Sequence, residues 1–477
     1  MTELSAEEQA IAEEVVAETP PRMGDLTSGP IMKTLIAFSI PMLIGNLIQT
    51  INGTINAIWV GRLIGEDALA ATTNANVVMF LFFALVMGFG MASTVRIGQH
   101  FGAGDIPAAR RSFGNGLGFA IALSVAGSAL GLIFAPAMLR AMAIPAGSMD
   151  LAVTYLRVIF FSIPFGTANM ILSMGMRGAG DAKSPMFSMI ISVLLDIGLN
   201  PLLIMGLGPI PALGIAGSAI ASFIAGMGGM LFLLYRLYAK DLPLRLRGSE
   251  FRYLIPAGAE LKFMIGKGIP MGTSMLLMSS AQMVIVGFVN REGVDATAAY
   301  GASMQLWNFL QMPAFAISSG VSAMVAQAIG ASKHDRVSKV SNAGMIGNIV
   351  MTGVLSGLLL LFARLLLALF LGSESGAIPI AVHLQWVITW SFIIMGASMV
   401  IGGTLRAYGV VWLPLVIQAV ALYPVRIGFY FAAYPTWGSD ALWWSFPIAS
   451  CFSALGTWIL YLRGSWRSKQ HEAYVKA

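Results

Sequence analysis

Predominantly apolar stretches of roughly 20 to 30 residues recur along this chain, separated by short polar segments. Twelve can be marked, at 34–60, 68–94, 113–139, 151–175, 185–206, 212–238, 264–290, 296–324, 341–371, 380–404, 412–434 and 440–462. Each is long enough to cross about 30 Å of hydrocarbon as a helix. A helix also satisfies its own backbone hydrogen bonds where no water is present. The pattern predicts an all-α polytopic membrane protein with twelve transmembrane helices.

Composition agrees with the pattern, since 57% of the 477 residues are hydrophobic and 10% are charged. A soluble protein carries about 25% charged residues, so a water-soluble enzyme is excluded. The 53 glycines and 21 prolines suit close-packed, locally bent helices. One cysteine, Cys451, allows no intrachain disulfide, and four scattered histidines match no metal-ligand spacing.

The net charge of +6 is a matter of position. Lysine and arginine gather in the loops after the even-numbered spans, as in Arg110, Arg111, Arg245, Arg247, Lys333 and Arg336, and near the carboxy terminus at Arg467 and Lys469. The opposite loops hold only Arg62, Arg140 and Arg291. By the positive-inside rule both termini are cytoplasmic, and the basic excess reports topology, not nucleic-acid binding. Residues 1–29 lack the basic, apolar-cored pattern of a signal peptide and are expected to be a disordered acidic tail.

The two halves repeat. "FSIPMLIG" around Pro41 returns as "GKGIPMGTS" around Pro270, and "GMRGAGDAKSP" returns as "TLRAYGVVWLP", both at an offset of 229 residues. "GQHFGAGD" reappears as "AQAIGASK" one residue out of step. Six spans per half put both halves into the membrane the same way round, related by a pseudo-two-fold axis along the membrane normal. The expected organisation is an N-lobe over 30–238, a basic linker over 239–262, a C-lobe over 263–463 and a short tail over 464–477.

Asp196 stands inside the fifth span, in "SVLLDIGLNPLLIMGLG". A central aspartate costs about 2.5 to 3.5 kcal/mol on insertion scales, and intramembrane acids mark ion or proton paths. Asn200 follows one turn later on the same face, and Pro201 removes the N–H that would bond the carbonyl of Ile197. In the first span Asn46, Gln49, Gly53 and Asn56 form a polar stripe. The offset of 229 sets Met275, Met278, Gln282 and Ile285 opposite them. An amide-lined lobe with an acid thus faces a methionine-rich lobe, whose soft side chains suit varied apolar substrates. Arg426 falls inside the eleventh span, where snorkelling or bonding to the carbonyls of a bent helix is favoured over pairing with a substrate anion. Arg177 and Arg406 close their spans and are read as cytoplasmic anchors.

On "IPMLIGNLIQTINGTINAIWVGRLIGEDALAA", "GQHFGAGDIPAARR", "GMRGAGDAKSPM" and the Asp196 stretch with "LGIAGSAIAS" after it, the chain resembles the multidrug and toxic compound extrusion (MATE) family. The likeness spans roughly residues 28–465 and is nearest the DinF-like or a divergent branch. It implies a twelve-helix, two-lobe exporter of cationic or amphiphilic organic compounds, driven by inward H⁺ or Na⁺, without a cofactor or metal. It also implies a cation network of Gln49, Asn56, Asp196, Asn200 and Ser222. Asn46, Met275, Met278, Gln282, Gln305 and Asn308 are candidate substrate contacts. Family members often carry an acid where Asn56 stands, and NorM-type members carry acids where Met278 stands and near Met395. With one carboxylate left, H⁺ is favoured over Na⁺.

The expected protein is an H⁺-coupled antiporter of a bacterial inner membrane, multi-pass and functional as a monomer. A lipid-linked sugar flippase is the alternative, but it needs several basic residues in the cavity, and the spans offer few besides Arg157, Arg364 and Arg426. An intramembrane enzyme needs paired carboxylates, a Ser–His pair or HExxH. The spans show none of these.

Overall fold

The computed structural model describes residues 24–141, 146–206 and 211–464. The acidic stretch over 1–23 and the tail over 465–477 lie outside them. Among the described residues the chain is almost wholly helical. The first half contains α1 (Ile31–Leu63), α2 (Glu66–Gly102), α3 (Ile106–Ala141), α4 (Ala146–Gly178), α5 (Lys183–Met205) and α6 (Gly214–Ala239). The second contains α7 (Gly258–Arg291), α8 (Val294–Gly330), α9 (His334–Leu361), the short α10 (Ala363–Leu371), α11 (Ala377–Ile388), α12 (Ser391–Ala407), α13 (Trp412–Val420), α14 (Arg426–Trp437) and α15 (Asp440–Arg463).

Eleven helices are long and apolar enough to span a bilayer, counting α13 and α14 as one, and α11 with α12 makes a twelfth span bent by 44°. The bend falls at Thr389 and Trp390, between the two helices. There the Thr389 hydroxyl turns back to the Gln385 side chain at 2.7 Å. The ninth span likewise breaks at Phe362, and the eleventh carries a π turn over Ala421–Val425. Apolar side chains such as Ile133, Leu361, Leu369 and Leu462 are exposed on the outer faces, as lipid solvation requires.

Three cores show how the lobes meet. One, with Ala71, Leu139, Leu156 and Ile163, belongs to the N-lobe alone. A second, with Tyr300, Trp307, Leu384 and Trp443, belongs to the C-lobe alone. A third is shared: Leu35, Phe38 and Met42 of α1 and Val95 of α2 pack on α8 from Ala316 to Ile329. The shared core lies at the end of the bundle that carries the basic loops. The lobes are therefore joined at this basic end.

At the junction, α2 and α8 cross with almost no side chain between them. A Cβ on Gly102 would lie 2.0 Å from the Gln327 carbonyl oxygen, and one on Gly330 would lie 1.8 Å from that of Gln99. Gln99 Nε2 donates to the carbonyl of Ala407 at 2.8 Å, and Gln327 Nε2 donates to that of Gly178 at 3.1 Å. These are the same contacts repeated by the pseudo-two-fold, because Gln99 and Gln327 are the glutamines of the duplicated "GQHFGAGD" and "AQAIGASK".

Part of the stretch expected to be disordered is packed, and so is the linker. Residues 24–29, placed in the acidic tail by the sequence, run between the lobes: Leu26 is buried and its N–H donates to Gln327 Oε1 at 2.9 Å. The basic linker holds a short 3₁₀ turn, Gly248–Leu254, that lies against α3, where Gly114 and Gly118 leave room for the Tyr253 and Leu254 backbone. Arg177 and Arg406 are half-buried in place of reaching outward as anchors, and Arg406 Nη2 donates to Ser318 Oγ at 2.9 Å.

Candidate functional site

Three N-lobe helices bring polar groups to one point. α5 supplies Asp196 and Asn200, α6 supplies Ser218 and Ser222, and α1 supplies Asn52 and Asn56. Small residues set the spacing between α5 and α6. Gly217 meets the Leu203 backbone, where an added Cβ would lie 2.4 Å from the carbonyl oxygen, and Gly229 meets Ser188 and Ser192. Close approach of this kind is typical of helices packed in lipid.

Asp196 is 3% exposed. Its Oδ1 accepts from Ser222 Oγ at 2.9 Å and from Asn200 Nδ2 at 3.1 Å. Its Oδ2 accepts from Asn52 Nδ2 at 3.0 Å. No basic group pairs with it among the ion pairs of the described residues. Asn200 Nδ2 also reaches the Asp196 backbone carbonyl at 3.0 Å, which locks the amide to the acid's own turn. The buried Tyr155 on α4 lies within electrostatic reach of the carboxylate. Two amide oxygens, Asn52 Oδ1 and Asn200 Oδ1, are buried with no hydrogen-bond donor among the described residues. A carboxylate with two spare amide oxygens beside it is an acceptor-rich pocket, suited to a proton or a small hard cation.

The structure thus gathers Asp196, Asn200 and Ser222 as the sequence proposed, and adds Asn52. Asn56 lies one step away: its Oδ1 accepts from Ser218 Oγ at 3.0 Å, not from the acid. Gln49 is exposed and Asn46 is half-buried, and neither is bonded to Asp196. The face of α1 that meets the acid is thus set one position round from the stripe, at Asn52. Asn52 sits four residues before Asn56 and shares its face, which is the signal that would have found it.

In the C-lobe, Gln282 turns inward, and its Nε2 donates to the Tyr300 hydroxyl. Met275 is half-buried, while Met278, Gln305 and Asn308 are exposed on α7 and α8. Arg426 does not snorkel. It is 6% exposed and its guanidinium lies 3.5 Å from the Phe446 ring centroid. Its Nε and Nη2 are enclosed without any carbonyl or other acceptor among the described residues. Arg157 and Arg364, by contrast, are exposed.

Comparison with known proteins adds the family. The MatE family model matches residues 41–202 and again residues 270–431, once per lobe. A probable multidrug resistance protein, YoeA of Bacillus subtilis, is 32% identical over 442 residues, covering 92% of this chain and 95% of that protein. A FAD transporter of Shewanella oneidensis is 28% identical over 347 residues, covering 72% and 75%. An outward-facing multidrug resistance MATE family transporter of known structure superposes with a TM-score of 0.85 at 23% identity, over 94% of this chain and 98% of that one. Two lobes, each matched by the same family model, built on spans that cross a membrane, place this chain in the MatE family as a multi-pass membrane transporter and not an enzyme.

Proposed function

We propose that the protein is an H⁺-coupled antiporter that exports small amphiphilic or cationic organic compounds by alternating access. The observation that carries this reading is Asp196: a buried carboxylate, without a counter-cation, held by three donors from three helices of one lobe. In this arrangement a proton or cation arriving from the far end changes which hydrogen bonds Asp196 keeps, and so changes how α1 packs on α5 and α6. The named relatives include multidrug resistance proteins and a FAD transporter, which supports small organic cargo in general.

With the basic end taken as cytoplasmic by the positive-inside rule, the protein lies in the inner membrane of a bacterium with both termini inside. The lobes, joined at that end, then open outward. Protonation of Asp196 from outside would loosen its bonds to Asn52 and release substrate. Deprotonation inside would restore an anionic site. One charge moved through 100 mV supplies about 2.3 kcal/mol, enough for roughly 50-fold accumulation. The protein would need no partner chain, acting as a monomer.

A sodium-coupled version is the second reading, favoured by the two donorless amide oxygens beside the acid. The flippase reading is weakened because, of Arg157, Arg364 and Arg426, only Arg426 is buried.

The test is uptake of ethidium into proteoliposomes, driven separately by a pH gradient and by a sodium gradient. Wild-type protein should respond to the pH gradient and Asp196→Asn should fall to the level of empty liposomes. Uphill transport by Asp196→Asn would sink the role given to the acid. A response to sodium alone would transfer the coupling to the second reading.

A further inference from the structure

The lobes repeat each other in fold, but the helix that carries Asp196 does not repeat its charge. An offset of 229 sets Pro185 on Pro414 and would set Asp196 on Val425. The π turn over Ala421–Val425 intervenes. Such a turn spends one extra residue, so beyond it the register advances by one. "DIGLN", Asp196–Asn200, then falls on "RIGFY", Arg426–Tyr430, with isoleucine on isoleucine and glycine on glycine. The counterpart of the buried aspartate is the buried arginine.

The surroundings are inverted in the same sense. Asp196 is ringed by donors and flanked by amide oxygens with nothing to accept from. Arg426 keeps Nε and Nη2 enclosed with no acceptor, and none of the ion pairs of the described residues includes it. Tyr300 lies within electrostatic reach, and its hydroxyl accepts from Gln282, which leaves its own hydrogen to donate. Aromatic rings wall the group: Phe446 lies over the guanidinium, and Tyr300 stacks on Trp443 with centroids 6.3 Å apart. A buried charge without a partner is costly, and stacking on a ring offsets only part of that cost. Donors without acceptors beside flat apolar walls are the receptor for an aromatic anion.

We propose that Arg426 and Tyr300 form an anion-binding site in the C-lobe, which takes the carboxylate, phosphate or sulfonate of an aromatic amphiphile while Asp196 handles the cation in the other lobe. The two loads then occupy pseudo-symmetric positions of opposite charge. This rests on the transporter reading, since it names a substrate class for the same protein, but it does not depend on which cation drives transport.

The test uses purified full-length protein in phosphatidylcholine nanodiscs and two probes with one ring and opposite charges, pyrenesulfonate and pyrenylmethyl-trimethylammonium. Binding is read by energy transfer from the protein's tryptophans to pyrene. Arg426→Gln should raise the Kd for the sulfonate by about ten- to a hundredfold and leave the ammonium probe unchanged. Arg426→Lys, which keeps the charge, should retain most of the sulfonate affinity. If Arg426→Gln does not fold, Tyr300→Phe removes one donor and should weaken the sulfonate alone by about three- to tenfold. Equal loss of both probes, or none, overturns the proposal. Repeating the titration with phosphatidylglycerol present separates the sources of the anion. Competition assigns the site to a lipid headgroup, and its absence assigns it to a dissolved substrate. Ethidium uptake in the same preparations reports on the antiport reading, so intact uptake with no selective loss of sulfonate binding sinks the anion site only.

Discussion

Asp196 and Arg426 show what single residues contribute here. Each is buried, each departs from the apolar composition of its span, and neither has an opposite charge among the ion pairs of the described residues. The acid was legible in the sequence because a lone carboxylate in an apolar run is conspicuous. Its partners were only half legible. Asn200 and Ser222 do bond to the acid, but Asn52 lies just off the stripe and Gln49, inside the stripe, is exposed and not bonded to it. The expectation at this scale is a contrast. Asn52→Leu removes a hydrogen bond to a charged group, worth about 1.5 to 3 kcal/mol, and should cut gradient-driven ethidium uptake by roughly tenfold or more. Gln49→Leu should leave the response to the driving gradient intact. Equal losses from both variants would show that the acid does not depend on Asn52.

Elements impose a different constraint. α2 and α8 can cross at the basic end only because Gly102 and Gly330 carry no Cβ, with the carbonyls of Gln327 and Gln99 about where one would sit. The neighbouring glutamines then bond across to the ends of α12 and α4. Gly330→Val should hold the lobes apart there. Overpacking costs about 1 to 3 kcal/mol, which corresponds to a roughly five- to hundredfold fall in the joined population. Cross-linking of Ala103→Cys to Ala331→Cys, in a background lacking Cys451, measures it. Undiminished cross-linking would mean that the crossing tolerates a side chain. The duplicated motifs were visible in the sequence, one residue out of step, but nothing in a linear string shows that two glycines more than two hundred residues apart in the chain lie back to back.

The molecule as a whole is tied together at its basic end by the linker and the amino-terminal segment over 24–29. Glu250 joins the 3₁₀ turn of the linker to α3: its Oε1 accepts from Arg110 Nη1 at 3.0 Å, and its Oε2 accepts from the Arg247 N–H at 2.8 Å. Partial burial pushes its carboxyl up, but the Arg110 and Arg247 hydrogen bonds and the charges of both outweigh this and hold it below the ordinary 4.5. A carboxyl lowered on folding contributes stability that is fully present above the ordinary value and is lost as pH falls through the lowered one. The Tm advantage of the wild type over Glu250→Gln should therefore be constant above pH 4.5 and fade below it. An advantage that persists into strong acid would show that the ion pair is not its origin.

Span count, membrane class, duplication and the presence of one buried acid followed from the order of residues alone, because hydrophobic runs, charge asymmetry and repeats are properties of a string. Three things were decided by the tertiary structure. Which face of α1 meets α5 depends on how small residues let α6 approach, so Asn52 replaced Gln49. At which end the lobes are joined depends on contacts between halves more than two hundred residues apart. And that Arg426 stays inside, enclosed and without an acceptor among the described residues, follows a π turn that shifts its register by one residue against the first half, a change too local for periodicity to reveal.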